Sequence, residues 1–108
     1  MDPDNLTIDE LIQVIKDLDY EHIQVIDRDK NKEFRDKYGI SMTDAKDIIK
    51  CLKKEDLHEG PVDDDNPERK HPIWIFIKII NSIRCYIKIK AINKCKVIIV
   101  ISLHECEY

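Results

Sequence analysis

The chain has 108 residues, of which 43% are hydrophobic and 37% charged, with a formal net charge of −4 at pH 7. That length suits one domain with a single core. The longest apolar runs, IWIFI and VIIVISL, are far too short to cross a bilayer.

The charge is unevenly placed. Residues 1–66 hold 10 Lys/Arg and 19 Asp/Glu, a net −9, whereas residues 67–108 hold 8 and 3, a net +5. A localised basic face can attract nucleic acid whatever the total charge. The competing reading is that both halves are simply solvated surface. The start, MDPDNLTIDE, is acidic with no hydrophobic run behind it, so the expectation is a cytoplasmic protein.

In chain order, Thr7-Ile8-Asp9-Glu10 has the form of a capping box. Ile8, Leu11, Ile12, Ile15 and Leu18 follow at helical spacing, which predicts a helix over about 7–19. HIQVID alternates and reads as an edge strand. Asp29 to Tyr38 is a charged helical segment ended by Gly39. Ser41, with Asp44 three residues on, opens another helix whose buried stripe is Ala45, Ile48, Ile49 and Leu52. Leu57 to Pro72 holds Gly60, Pro61, Pro67 and three consecutive aspartates, and it reads as one long loop.

From Ile73 the period changes to two. WIFIKII, RCYIKIKAI and KVIIVISL read as three strands with short polar links at Asn81-Ser82 and Asn93-Lys94-Cys95. Links that short imply antiparallel pairing. The expected fold is α+β in a single domain over 1–108, with N-terminal helices packed on one face of a small twisted antiparallel sheet.

A helix-covered sheet leaves its other face open. Alternation sets Cys85, Ile87, Ile89 and Ala91 inward, and Arg84, Tyr86, Lys88 and Lys90 outward. A three-residue link at 93–95 places Tyr86 opposite Ser102 and Arg84 opposite His104. Lys78, Arg84, Tyr86, Lys88 and His104 then converge on the open face. The bland alternatives are solvated lysines that block edge pairing, a packing tyrosine and a surface histidine. Trp74 is assigned to the core or its rim.

The four cysteines, Cys51, Cys85, Cys95 and Cys106, show no paired spacing. Cys51 and Cys85 fall at apolar-face positions, where cysteine behaves as a small hydrophobe. A metal site would have to gather Cys95, His104 and Cys106. The DDD run reads as a solvated turn, since three adjacent carboxylates do not all point at one ion.

The run GPVDDDNP, followed by IWIFIKII, YIKIK and ISLHE, resembles the MqsR-like toxins, a branch of the RelE-like mRNA interferases of bacterial toxin–antitoxin systems. GISMTDAKDIIKCLKKEDLHEGP is similar to the helix and loop entry of the same family, so the likeness covers residues 5–107. The resemblance implies a RelE-like fold and metal-independent cleavage of mRNA, with no cofactor. It implies a cognate antitoxin as partner, no membrane association, and leaves a homodimer open. It also implies a catalytic set of Tyr86, Lys88 and His104. The better-known members carry lysine where this chain has His104, and lysine where it has Glu59 beside His58.

The implied reaction is attack of an RNA 2′-hydroxyl on its own 3′-phosphate. It needs a base, an acid and a positive field on the phosphate. Histidine suits either proton role near neutral pH, which points to His104. Lys88 and Arg84 would hold phosphate charge. Tyr86 would donate a hydrogen bond or stack on a base. Lys78 and Lys90 would position the strand, and Glu59 is a second proton carrier. The alternative is a non-catalytic protein- or RNA-binding module on the same scaffold.

Overall fold

The computed structural model describes residues 1–66 and 68–107. Pro67, one of the prolines of the expected loop, lies outside them. Helix α1 spans Ile8–Asp17, and the Thr7–Glu10 capping box closes its start in both directions. Helix α2 spans Asp29–Tyr38 and stops at Gly39, whose φ of 64° is the left-handed turn glycine adopts freely. Helix α3 spans Met42–Lys50 behind a second capping box, Ser41 with Asp44. Lys50 then ties α3 to α1 by donating to the carbonyls of Lys16, at 2.7 Å, and of Leu18.

The sheet has five strands: β1 (Ile23–Val25), β2 (Leu57–Val62), β3 (Ile73–Ile80), β4 (Ile83–Ile92) and β5 (Val97–Glu105), in the order β1-β5-β4-β3-β2. Strands β3, β4 and β5 form the expected antiparallel meander. The sheet as a whole is mixed, because β1 runs parallel to β5. The expected loop from Leu57 is corrected too: residues 57–62 pair with β3 through two register shifts. Gly60 and Pro61 hide that strand from periodicity, since both residue types are depleted in regular strands.

One core joins the layers. Leu11 and Ile15 of α1, Ala45 and Ile49 of α3, and Phe34 of α2 meet Phe76, Ile87, Ile89, Val100 and Leu103 of the sheet. Trp74 is buried with them. Cys85 is in the core as expected, whereas Cys51 is exposed beyond the end of α3. Burial pushes the Cys85 thiol up to about 11, with Glu105 and Cys106 adding to the effect.

Helix α2 also completes an edge. β1 covers only residues 98–100 of β5. Beyond it, the buried Asn31 side chain takes the place of a neighbouring strand. Its Nδ2 donates to the carbonyls of Ile101 at 3.0 Å and Ile26 at 2.9 Å, and its Oδ1 accepts from the Leu103 N–H at 2.9 Å. No helix among the described residues is long and apolar enough to cross a membrane.

Candidate functional site

The open face is built by β3, β4 and β5. Cross-strand partners share a face, so the register decides who meets whom. Tyr86 lies opposite His104, and Lys88 opposite Ser102. The expected register is therefore wrong by two residues, for two separate reasons. The β4–β5 link has four residues, because Ile92 pairs with Val97, and a bulge falls between Lys88 and Ile89 where β5 carries an extra residue. Each adds one residue to the offset. The bulge also flips parity along β5. Val100 and Leu103 both point into the core, while Ser102 and His104 join the open face.

The Tyr86 and His104 rings are stacked, with centroids 5.3 Å apart and planes 13° from parallel. His104 Nδ1 lies 2.9 Å from the carbonyl oxygen of Glu105. A carbonyl only accepts, so Nδ1 carries the hydrogen and Nε2 is left to exchange protons. The side chain of Glu105 is held separately from that carbonyl. The Tyr38 hydroxyl donates to the Glu105 carboxylate, and Lys37 lies 3.3 Å from it. The same two contacts hold the Glu105 carboxyl below its usual range.

The next row across the sheet is Glu59, Ile75, Lys88 and Ser102. Ser102 is buried beneath Arg28, whose guanidinium donates to its Oγ at 3.4 Å. On the other side of the stacked pair, Arg84 is exposed beside Ile79, its partner on β3. Arg84, Tyr86, Lys88 and His104 thus share the open face as expected. Glu59 shares it at a distance, two strands from Lys88.

Two expected members are tied up in ion pairs, and one of them leaves the open face. Lys78 pairs with Cys85, which is a core position, so it faces the helix side and binds Asp56 at 3.2 Å. The alternation within β3 that groups Lys78 with Trp74 and Phe76 decides this. Lys90 is on the open side but buried, 2.8 Å from Asp64. The central aspartate of the DDD run is therefore an ion-pair partner and not a solvated turn residue. Lys90 and the Asn66 backbone N–H bind Asp64 and hold its carboxyl below the usual range.

Arg28 and Arg69 are the residues that sequence reasoning missed. With Lys88 and Lys90 they line a cavity of about 500 Å³ on the open face. Arg28 sits just before α2 and Arg69 in the loop after β2, and neither lies in a periodic segment that could have flagged it.

A joint metal site at Cys95, His104 and Cys106 is not formed. Cys95 precedes β5, while His104 and Cys106 lie at its far end, roughly 30 Å apart at the rise of an extended strand. Among the described residues, the acid–histidine group close enough to share an ion is Asp19, Glu21 and His22, in the exposed turn before β1.

Fold and site together define a small α+β domain with helices N-terminal to a five-stranded sheet and a cationic open sheet face carrying a stacked tyrosine–histidine pair. No protein-family model matches the chain, and no curated protein matches it.

Proposed function

We propose that this protein is a metal-independent endoribonuclease that binds single-stranded mRNA on the open sheet face. The observation that carries the proposal is the Tyr86–His104 pair, 5.3 Å apart, with Lys88 and Arg84 on either side along β4. In this reading His104 Nε2 takes the proton from the RNA 2′-hydroxyl. The 2′-oxygen forms a bond to phosphorus and the bond from phosphorus to the 5′-oxygen breaks. The Tyr86 hydroxyl gives the departing oxygen its proton and regains one from solvent. Lys88 and Arg84 stabilise the charge that builds on the phosphate. The products are a 2′,3′-cyclic phosphate and a 5′-hydroxyl end.

The resemblance to MqsR-like toxins supports the same reading, and with it a RelE-like relationship and control by a cognate antitoxin. The order of helices and strands and the open basic face agree with that plan. The histidine at 104 takes the place of the lysine of the better-known members, with a side chain suited to proton transfer near neutral pH.

A second reading, a non-catalytic binding module, has one observation in its favour. Ile79 is 72% exposed on the same face, and an apolar residue beside cations suits a protein partner as well as RNA.

The test uses protein tagged at the N-terminus and a long mRNA in EDTA. Defined cuts that leave 5′-hydroxyl ends, lost in His104→Ala by about 10²–10⁴-fold with RNA binding retained, are expected. Equal cleavage by the variant would remove His104 from the mechanism. Intact RNA, both alone and with translating ribosomes, would leave the binding module.

A further inference from the structure

The cavity beside Lys88 shares only that lysine with the bond cleavage just described, and it is a strongly cationic concavity on the open face. Arg28, Arg69, Lys88 and Lys90 meet there against a single carboxylate, Asp64. The chain as a whole is acidic, with 22 Asp/Glu against 18 Lys/Arg, so the local excess is opposite in sign to the whole. The carboxylate is already committed. Its two oxygens take the Lys90 ammonium at 2.8 Å and the Asn66 N–H at 3.0 Å. Among the described residues, Arg28, Arg69 and Lys88 have no ion-pair partner.

The fold fixes these cations without using them up. Ser102 holds Arg28 over the sheet through a bond of 3.4 Å. The Asp64–Lys90 pair fastens the loop after β2 to β4. From Asn66 the loop turns back, with the Glu68 N–H on the Asn66 side chain and the Arg69 N–H on the Asn66 carbonyl, both at 3.0 Å. That turn brings Arg69 to the cavity wall. Ile26, Ile99 and Ile101 complete the lining with an apolar surface. The bulge on β5 matters here, since it leaves Ile101 out of the core alternation.

A bare anion would use only the cationic wall. A volume of about 500 Å³ with an apolar floor is the size and character of a pocket for a small organic ligand. We propose that this cavity is a nucleotide subsite. Its cations take one phosphate of the bound RNA, and its isoleucines take the ribose and base attached to it. As to the natural ligand, the inference rests on the RNA-binding reading. The subsite lies one row along β4 from the Tyr86–His104 pair, so it would hold the nucleotide next to the cleaved step and set the reading frame of the strand.

The test titrates adenosine 5′-monophosphate, adenosine and inorganic phosphate into ¹⁵N-labelled protein and follows the amide signals. The nucleotide is expected to bind at least tenfold more tightly than either part, with shifts centred on Ile99, Ile101 and Arg69. Arg28→Gln with Arg69→Gln should weaken nucleotide and single-stranded RNA binding tenfold or more. Arg69→Gln alone, in the exposed loop, gives a variant that leaves the Arg28–Ser102 contact in place and should lose about threefold. Nucleotide no tighter than phosphate or adenosine, or binding unchanged in both variants, would overturn the subsite. Failure of the nuclease reading looks different: RNA stays intact in EDTA while nucleotide binding and its loss in the variants persist.

Discussion

Tyr86 and His104 stand directly opposite each other on neighbouring antiparallel strands, with their rings stacked 13° from parallel. The pair can be separated by its chemistry. Tyr86→Phe keeps the ring and removes only the hydroxyl. The expected result is a fall in kcat of about 10²-fold, the usual effect of deleting one transition-state donor. Tyr86→Ala should also weaken RNA binding, by about 1–3 kcal/mol if a base stacks there. Gel-based cleavage rates and fluorescence anisotropy would measure the two effects. A Phe variant with full kcat would take the hydroxyl out of the reaction.

Asn31 completes the β5 edge with three hydrogen bonds to backbone groups. Asn31→Leu leaves the Ile101 carbonyl and the Leu103 N–H buried without partners, at about 1–3 kcal/mol each. Asn31→Asp keeps the acceptor for Leu103 but sets a carboxylate against two carbonyls. Both variants should unfold at lower urea concentration than the wild type. An unchanged midpoint for Asn31→Leu would mean that water replaces the side chain at no cost.

The Lys90–Asp64 pair makes a prediction in pH. The Lys90 ammonium, helped by the Asn66 N–H, lowers the Asp64 carboxyl from its ordinary value of 3.8. A lowered native value gives stability that is present above about pH 4 and is lost as pH falls through the native value. Thermal melts should show the wild type losing more stability than Asp64→Asn between about pH 5 and pH 3. At neutral pH, Asp64→Asn should melt lower than the wild type, because Lys90 stays buried without a counter-charge. Asp64→Leu combined with Lys90→Met should recover much of that loss. Parallel acid limbs for wild type and Asp64→Asn would show that the pair adds nothing.

Two glycines should differ in what they tolerate. Gly39 has φ 64° and open space around its missing Cβ, so Gly39→Ala should cost only about 1–2 kcal/mol for the left-handed backbone. Gly60 has φ 135°, and a Cβ there would lie 2.9 Å from the Ile73 carbonyl and 3.0 Å from Trp74 Cα. Gly60→Ala adds a clash with strand backbone to about 1–3 kcal/mol of dihedral strain. Chemical denaturation should therefore rank Gly60→Ala well below Gly39→Ala, and the reverse order would contradict the close β2–β3 approach.

The sequence by itself determined what depends on near neighbours. Thr7 with Glu10, and Ser41 with Asp44, marked two helix starts, because a capping box acts within one turn. Gly39 marked a helix end for the same reason. Alternation along residues 73–103 gave three strands, and it gave the inward and outward sides of β4, since strand side chains alternate whatever the partner. Arg84, Tyr86 and Lys88 could be placed on one face from that alone, whereas His104 needed the pairing of β5 with β4. Only the tertiary structure decided what depends on pairing across the chain. β1 is three residues long and owes its place to a parallel partner more than seventy residues away. β2 exists because β3 pairs with it, despite Gly60 and Pro61. One extra residue in the 93–96 link and one in the bulge set Tyr86 against His104 rather than Ser102. Arg28 and Arg69 reach Lys88 through a buried serine and a buried ion pair. Register and long-range contact are cooperative properties of two or more segments, and no local period encodes them.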